Sequence, residues 1–288
     1  MDVPETGRLL RSFFVLRKIK AMQINLNEQK IDISAETTLH QLRDRYKADA
    51  DVLIQNGHPV KEDVPIAAGD RIVLIRRGEK PSAEEMEALL VSRHTPDVHE
   101  KLKAATVGIA GVGGLGSALA IALARSGIGR LILADFDVVE PSNLNRQQYF
   151  IDQIGLPKVD ALKENLKRIN PYVQAATFFG RLDRENIPQV FAGVYVMIEA
   201  FDAADQKAML VETFRNCSPD VPLVAASGLA GHETANSVTT RKAGNNFYLV
   251  GDGETAAEPG RGLMAPRVGV AAHHQANAVL RLILNEEP

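Results

Sequence analysis

The sequence predicts an α/β protein in which a small β-grasp domain precedes a Rossmann-like, doubly wound and mostly parallel sheet. Strand and helix patterns alternate from residue 104 to the end of the chain, which is typical of a parallel sheet with helices on both faces. Residues 22–78 instead read as two strands, a helix, a strand and a last strand, the order of a β-grasp fold. The length of 288 residues leaves room for about two domains.

The β-grasp domain is predicted from turn signals between short apolar runs. Apolar residues alternate on both sides of Asn27-Glu28-Gln29, which indicates a β-hairpin, and a helix is expected to open after Ser34. A further strand turns at Asn56-Gly57, and a last strand covers residues 71–75. One side of the helix is expected to carry Leu39, Leu42 and Tyr46.

Two segments flank this domain. Residues 1–21 form a basic leader, and its apolar stretch from Phe13 to Leu16 is too short for the hydrophobic core of a signal peptide. Residues 79–103 are interpreted as a helical connector because they contain the strongly helix-forming run SAEEMEALL (82–90). Residues 104–288 are then the second domain.

The second domain has five predicted strands, over residues 106–110, 130–135, 175–179, 195–199 and 223–226. Helices are predicted over residues 117–126, 159–168, 185–191 and 204–215, with a closing helix at 268–284. Residues 228–262 are rich in Gly, Asn and Thr, which indicates a hairpin and loops. In such a sheet, ligands bind at the carboxyl ends of the strands.

Charge and hydropathy argue against nucleic acid or a membrane as a partner. Lys+Arg 33 against Asp+Glu 36 gives a formal net charge of −3, so no global basic field attracts nucleic acid. Residues 104–124 are uncharged and long enough to cross a bilayer, but five central glycines oppose a continuous helix. The single cysteine, Cys217, fits a reducing compartment, and a cytoplasmic location is expected.

A glycine-rich turn follows the first strand of the second domain, and Asp135 comes nineteen residues after its last glycine. Glycine lets the backbone approach phosphates at a helix N-terminus, and a carboxylate at that distance can accept from ribose hydroxyls. The pattern fits an NAD enzyme as well as an ATP enzyme, and a packing turn without a ligand is the third interpretation. The glycines are Gly111, Gly113, Gly114 and Gly116.

More specific motifs follow this turn. The run DFDVVEPSNLNRQ (135–147) comes directly after the second strand, and GLPKV (155–159) precedes a helix. With GVGGLGS (111–117) and IEAFDAADQK (198–207), the sequence resembles the ThiF/MoeB/HesA family of adenylating enzymes, the bacterial relatives of ubiquitin-activating enzymes, over roughly residues 100–284. Residues 22–78 resemble the sulfur carrier ThiS, so the resemblance is to the ThiF subgroup with an N-terminal ThiS-like segment.

The resemblance implies an adenylyltransferase that uses ATP and Mg²⁺. Such enzymes join AMP to the C-terminal glycine carboxylate of a small β-grasp sulfur-carrier protein ending in Gly-Gly, and release pyrophosphate. A ThiS-like carrier of thiamine thiazole biosynthesis and a homodimeric enzyme are implied as well. A terminal carboxylate has a pKa of about 3.5, so near pH 7 it is an ionised nucleophile that needs no general base. Because one anion must approach another, catalysis should depend on positioning and on cations.

The family motifs imply roles for particular side chains. By correspondence, Arg146 and Lys158 would hold the phosphates, and Asn143 would help to orient them. Asp135 would bind the ribose. Mg²⁺ would be held beside the polyphosphate by Asp202, in competition with Asp205.

Three further residues complete the implied nucleotide site. Gln147 belongs to the same motif as Arg146. Asp137 is either the cap of an N-terminal turn or a site residue. Arg93 falls where relatives carry an arginine that reaches the nucleotide of a dimer partner.

Other features depart from the family. No CxxC pair is present, so no zinc site is expected. Cys217 does not match a loop nucleophile and is predicted to be a buried, inert thiol, while His273 and His274 are interpreted as structural. The ThiS-like segment runs through Arg76-Arg77-Gly78-Glu79 into the connector and so offers no free carboxylate. An NAD(P)-dependent oxidoreductase and a non-catalytic, carrier-binding regulatory module are the alternative functions.

Overall fold

The computed structural model describes residues 21–94 and 96–288. The chain divides between Ser92 and Arg93 into two compact units, called here the N-terminal and the C-terminal unit, and each is described by itself. Except for Ala21, the predicted leader lies outside the described residues.

In the N-terminal unit a five-stranded sheet packs against one helix in the predicted β-grasp order; the sequence predicts four of the strands, and the short strand His58–Val60 after the Asn56-Gly57 turn is additional. In chain order its elements are β1 (Ala21–Leu26), β2 (Gln29–Ser34), α1 (Leu39–Tyr46), β3 (Val52–Gln55), β4 (His58–Val60) and β5 (Arg71–Ile75). The strand order is β2-β1-β5-β3-β4, with β1 and β5 parallel and the other neighbours antiparallel. The first hairpin turns at Asn27 and Glu28, and the second at Asn56 and Gly57.

The helix of this unit begins later than predicted. It starts at Leu39 because Thr38 caps it, with the Thr38 side chain accepting from the Gln41 amide and the Gln41 side chain accepting from the Thr38 amide. Leu39 and Leu42 are fully buried, as predicted. Tyr46, which the sequence predicts on the same side, ends the helix, is 42% exposed, and lies against the Arg45 guanidinium.

Two helices follow, α2 (Ala83–His94) and α3 (Pro96–Ala104). The C-terminal unit then adds a seven-stranded sheet with strands β6 (Thr106–Ala110), β7 (Arg130–Asp135), β8 (Gln174–Phe179), β9 (Val196–Glu199), β10 (Leu223–Ala226), β11 (Thr239–Gly244) and β12 (Phe247–Gly251). Its helices are α4 (Gly114–Arg125), α5 (Lys158–Ile169), α6 (Ile187–Val190), α7 (Ala204–Cys217) and α8 (Ala265–Ile283). Three of the five predicted strands have the observed bounds, and the other two differ by one residue.

The helices of this unit differ from their predicted bounds by more residues than the strands do. Helix α4 begins at Gly114, three residues before the predicted start, because the glycine turn itself is the first helical turn. Helix α6 is a single turn, α7 runs on to Cys217, and α8 begins at Ala265. The segment 228–262 contains the predicted hairpin, formed by β11 and β12.

The C-terminal sheet is doubly wound, as predicted. Its strand order is β11-β12-β10-β9-β6-β7-β8, and all neighbours are parallel except β11 and β12. Helices α4, α5 and α8 pack in the apolar core on one face, and α6 and α7 pack in the core on the other. The uncharged stretch 104–124 is therefore core of this unit, and in the described part of the chain no helix is long and apolar enough to span a membrane.

The strand order reverses at β6. From β6 the chain proceeds through β7 to β8 on one side, and then returns to β9 and β10 on the other side. A crevice opens at the carboxyl ends of the strands where such an order reverses. The elements that follow β6, β7, β9 and β10 are therefore the ones that can form a site.

Candidate active site

A cleft of about 550 Å³ lies at the carboxyl ends of β6, β7, β9 and β10. Most of the residues predicted from the sequence line it, namely Gly111, Gly113, Gly114, Asp135, Asp137, Arg146, Gln147, Lys158 and Asp202. Gly116, Asn143 and Arg93 are not among its lining residues. Arg93 is the penultimate residue of α2 and is exposed.

The glycine turn forms the floor of the cleft. Gly111 has φ +87°, and a side chain there would come within 2.8 Å of the Ala200 carbonyl oxygen. Gly113 is the N-cap of α4 and makes no side-chain capping bond, so the first amides of the helix are left for a ligand. Gly116 has a different task, because a Cβ there would overlap the carbonyl of Gly111. It allows α4 to pack closely on the turn.

Asp135 ties the glycine turn to the end of β7. Its carboxylate accepts from the Val112 amide at 2.8 Å and from the Asp137 amide at 2.9 Å. Burial raises the pKa of Asp135, while these two amide bonds and the charge of Lys158 act in the opposite direction. A ribose hydroxyl at Asp135 would therefore meet a carboxylate whose position is already fixed.

Lys158 and Asp137 form an ion pair in the wall of the cleft. The Lys158 Nζ lies 2.8 Å from Asp137 Oδ2, and the Lys158 amide donates to the Asp137 carbonyl. The lysine side chain is 7% exposed, whereas the aspartate is 48% exposed. Asp137 thus lines the cleft and pairs with Lys158, and its role as a site residue stays a prediction.

Arg146 presents a cationic group without full hydrogen bonding. It follows the 3₁₀ helix Pro141–Asn145, and its Nη1 donates to Asn145 Oδ1 at 2.8 Å. Its Nε is buried and has no hydrogen-bond partner among the described residues, and the same is true of Gln147 Oε1. Buried polar atoms are seldom left unpaired.

Asn143 shapes the turn that presents these side chains. It is 7% exposed, and its side-chain oxygen accepts from the Glu140 amide at 3.1 Å. Its carbonyl accepts from the amides of Arg146 and Gln147. The geometry thus places Asn143 behind the cleft, where it orients the side chains that line the cleft.

Asp202 and Asp205 occupy different places. Asp202 lines both the cleft and a smaller neighbouring depression, whereas Asp205 lines only the depression. In the described residues no three His, Cys, Asp or Glu side chains converge as a metal site. A single carboxylate fits Mg²⁺ that takes its remaining ligands from phosphates and water. Asp202 is the residue in position for that arrangement.

Glu199 and Lys207, for which the sequence predicts no role, bridge two strand ends at the cleft. Glu199 is 1% exposed and accepts from Lys207 Nζ at 3.1 Å and from the Phe201 amide at 2.7 Å. Lys207 also donates to the carbonyl of Ala226, and it lines the cleft. Burial raises the pKa of Glu199 despite the neighbouring lysine charge. Both residues stand inside the motif IEAFDAADQK, which is the signal that was available.

A second part of the cleft is lined mostly by small residues. We call it the small-residue arm, and it consists of residues 226–230 and 253–257, both of which border the cleft. The Gly253 amide donates to the Ser227 carbonyl, and the Asp252 amide donates to the Gly228 carbonyl, so the two segments are joined. The sequence predicted only a hairpin and loops here.

Cys217 is exposed, so the prediction of a buried thiol is wrong. Helix α7 runs two residues further than predicted, and Cys217 is its last residue, beyond the buried Leu210 and Phe214. Its Sγ lies 3.4 Å from the Phe214 carbonyl oxygen, outside the cleft. The two histidines of α8 each have an intramolecular contact, His273 with the Gly269 carbonyl and His274 with Thr240.

Two family models match the chain. The model described as the ThiF family matches residues 87–288, and the model described as ThiS-like ubiquitin matches residues 22–78.

The chain is also similar to several characterised proteins. It is 33% identical to a molybdopterin-synthase adenylyltransferase of Salmonella typhimurium over 192 residues, which cover 64% of this chain and 75% of the relative. It is 38% identical to a tRNA threonylcarbamoyladenosine dehydratase of Bacillus subtilis over 133 residues, 46% of this chain. The chain spans about half the length of this dehydratase and of a Haemophilus influenzae molybdopterin-synthase adenylyltransferase, 52% and 54% respectively.

Solved structures share the fold of the C-terminal unit. The E. coli tRNA N6-threonylcarbamoyladenosine dehydratase in complex with ATP has a TM-score of 0.64 at 22% identity, over 72% of this chain and 98% of that one. The same enzyme in complex with AMP matches with the same TM-score at 21% identity. Together with the family models, which span 87–288 and 22–78, these comparisons confirm the predicted fold class and family. The chain belongs to the ThiF family and carries a ThiS-like ubiquitin domain ahead of the ThiF domain.

Proposed function

We propose that this chain is an ATP-dependent adenylyltransferase that acts on the C-terminal glycine carboxylate of a small β-grasp carrier protein. The observation that carries the proposal is the cationic half of the cleft. There Lys158 and Arg146 line the cleft together with the glycine turn and the first residues of α4. Relatives named as adenylyltransferases support it. Membership in the ThiF family argues against the oxidoreductase alternative.

The proposed chemistry requires charge stabilisation more than acid–base catalysis. An oxygen of the glycine carboxylate forms a bond to the α-phosphorus of ATP, and the bond to the bridging oxygen breaks, so pyrophosphate leaves with the electron pair. The guanidinium of Arg146 and the ammonium of Lys158 stabilise the charge that develops on the phosphates. The carboxylate of Asp135 receives the ribose, and Gln147 Oε1 is a second acceptor beside the nucleotide.

Mg²⁺ belongs to this proposal through Asp202. When bound, the ion would be held by Asp202 and would neutralise part of the charge of the phosphates. Asp202 borders the cleft and has an exposed side chain, so it is accessible to a hydrated ion. Magnesium-dependent protection of the protein against heat, measured with ATP present and lost in Asp202→Asn but not in Asp205→Asn, tests this assignment.

The small-residue arm suits the tail of the carrier. An extended Gly-Gly terminus has no side chains, so it fits between walls made of small residues. The walls of the arm include Ala226, Gly228, Gly253 and Ala256. A ThiS-like carrier of thiamine thiazole biosynthesis is the specific partner we propose, because the chain's own N-terminal domain is ThiS-like. The reaction would then take place in the cytoplasm.

The chain's own ThiS-like domain is not the substrate in this proposal. After β5 the backbone turns back, with the Glu79 amide donating to the Arg76 carbonyl. Arg76 pairs with Asp49 at 2.7 Å, and Glu79 pairs with Lys47 at 2.5 Å. These contacts fold the segment onto its own domain, and Gly78 is in peptide linkage to Glu79.

We further propose that the enzyme is a homodimer in which Arg93 reaches the nucleotide of the partner. Exposed apolar side chains support an interface between copies of the C-terminal unit. They lie close together in sequence, at Val138, Phe150, Ile151, Ile154 and Leu156, with exposures from 40% to 79%. Sedimentation of Ile151→Asp, the most exposed of them, should give a monomer where the unmodified protein gives a dimer.

The test of the proposed activity is carrier-dependent exchange of pyrophosphate into ATP. We expect exchange with a ThiS-like carrier that ends in Gly-Gly. A molybdopterin-type carrier with the same terminus distinguishes the pathways, since exchange with that carrier alone would remove thiamine from the proposal. Absence of exchange with every Gly-Gly carrier, in a protein that binds ATP, would leave only the non-catalytic alternative.

A further inference from the structure

A buried arginine on α8 is bonded to the loops behind the small-residue arm. The Arg267 side chain is 3% exposed. Its Nη2 lies 2.5 Å from Asp252 Oδ2 and 3.1 Å from Ser237 Oγ, and its Nη1 donates to the carbonyls of Glu233 and Thr234 at 3.0 and 2.9 Å. Neither Arg267 nor Asp252 lines the cleft. Arg267 and Asp252 therefore affect the cleft only indirectly, through the residues that they bond.

Asp252 hydrogen-bonds to the small-residue arm from outside the cleft. Its Oδ1 accepts from the amides of Glu254 and Thr255, each at 2.8 Å, and its Oδ2 accepts from the Thr255 hydroxyl at 2.7 Å. Glu254 and Thr255 line the cleft. Although burial raises the pKa of the Asp252 carboxyl, these bonds and Arg267 bring it well below its usual range. The carboxylate is thus charged and fully engaged, with one oxygen on the arm and the other shared with α8.

The other wall of the arm is linked to the same residue. The Asp252 amide donates to the Gly228 carbonyl at 2.9 Å, and a side chain at Gly228 would overlap the Asp252 carboxylate. Gly251 is equally confined, because a Cβ there would overlap the Ser227 carbonyl. Both walls of the arm therefore meet at Asp252, residues 253–257 through its carboxylate and residues 226–230 through its backbone amide, and Arg267 ties the carboxylate to a long helix.

We propose that the Arg267–Asp252 pair is a positioning device that sets the small-residue arm for the terminal glycines of the carrier. The inference rests on the proposed function for the identity of the ligand. A guanidinium is suited to this task, because its planar fork bonds two carbonyls and a carboxylate at once, which a lysine ammonium does not reproduce. Displacement of binding groups by as little as 1 Å is enough to lower catalytic efficiency by about 100-fold.

The test compares Arg267→Lys and Asp252→Asn with a matched control on the same helix. Arg281 forms an exposed ion pair with Glu286 at 2.9 Å, so Arg281→Lys changes the same residue type outside the device. In both test variants we expect the KM for the carrier to rise by about 10- to 100-fold, with the Kd for ATP unchanged. Amide hydrogen exchange of residues 253–257 should become faster, whereas amide exchange in α4 should keep its rate. The control should match the unmodified protein in all three measurements.

These measurements separate the inference from the proposed function. An unchanged carrier KM in folded Arg267→Lys and Asp252→Asn would overturn the inference, and so would unchanged amide exchange in residues 253–257. Equal losses of ATP and carrier binding would overturn it too, since the device would then support the whole cleft. If the unmodified protein fails to exchange pyrophosphate with every carrier tested, the proposed function is refuted. Amide exchange then still decides whether Arg267 fixes the arm.

Discussion

Replacement of Lys158 by methionine tests the charge assigned to the cleft. The Lys158 Nζ is 2.8 Å from the Asp137 carboxylate, and this ion pair holds the ammonium in the wall of the cleft. Methionine keeps most of the stem, which is buried, and removes the ammonium. Because the Asp137 side chain is 48% exposed, water replaces the lost partner, and the free energy of unfolding should fall by about 1 kcal/mol or less.

The effect on catalysis should be far larger. Removing one preorganised group that stabilises charge in a transition state costs about 2.7–4 kcal/mol, a loss of roughly 100- to 1,000-fold in kcat. The assay is carrier-dependent pyrophosphate exchange at saturating ATP, with Lys167→Met as the control. Lys167 lies on the same helix and also forms a 2.8 Å ion pair, but its side chain is 55% exposed. Exchange by folded Lys158→Met within about threefold of the control would refute the reasoning.

Three further predictions concern the turn, the thiol and acid stability. Gly116→Ala should lower the free energy of unfolding by about 1–3 kcal/mol or more, because its Cβ overlaps the Gly111 carbonyl; Gly269→Ala, in open space within α8, should be neutral or stabilising in the same denaturant titration. Cys217→Ser should leave carrier adenylation unchanged, and its loss in a folded variant would show that the thiol takes part. The depressed pKa of Asp252 contributes stability that is present above about pH 4, the ordinary pKa of an aspartate, and that is lost as the pH falls further. Unfolding measured from pH 6 to pH 3 should therefore be less steep in Asp252→Asn, and equal slopes would contradict this.

The fold was predictable because its signals are local. Buried parallel strands read as short apolar runs, and the bounds of β6, β7 and β10 follow from those runs alone. The glycine turn was predicted in position but not in detail, because Gly116 was assigned to the nucleotide site and instead allows α4 to pack closely on Gly111. Helix ends were predicted less well, because they depend on capping residues such as Thr38.

The site was predicted in part, and the omissions have a common cause. Arg146 and Lys158 belong to motifs that follow β7 closely in the sequence, and residues that follow a strand end lie near that end in space. Arg267 and Asp252 are 15 residues apart and meet only after β12 and α8 have packed, and neither lies in a motif. The exposure of Cys217 was missed for a similar reason, since it depends on how far α7 extends beyond the core.

The most direct measurement of the central claim is the intact mass of the carrier after incubation with the enzyme, ATP and Mg²⁺. We expect a ThiS-like carrier that ends in a free Gly-Gly carboxylate to gain the mass of one AMP. The same carrier with a C-terminal amide should gain nothing, because the nucleophilic oxygen has been removed. AMP on the amidated carrier, or no AMP on the free carboxylate under conditions where the enzyme binds ATP, would contradict the account.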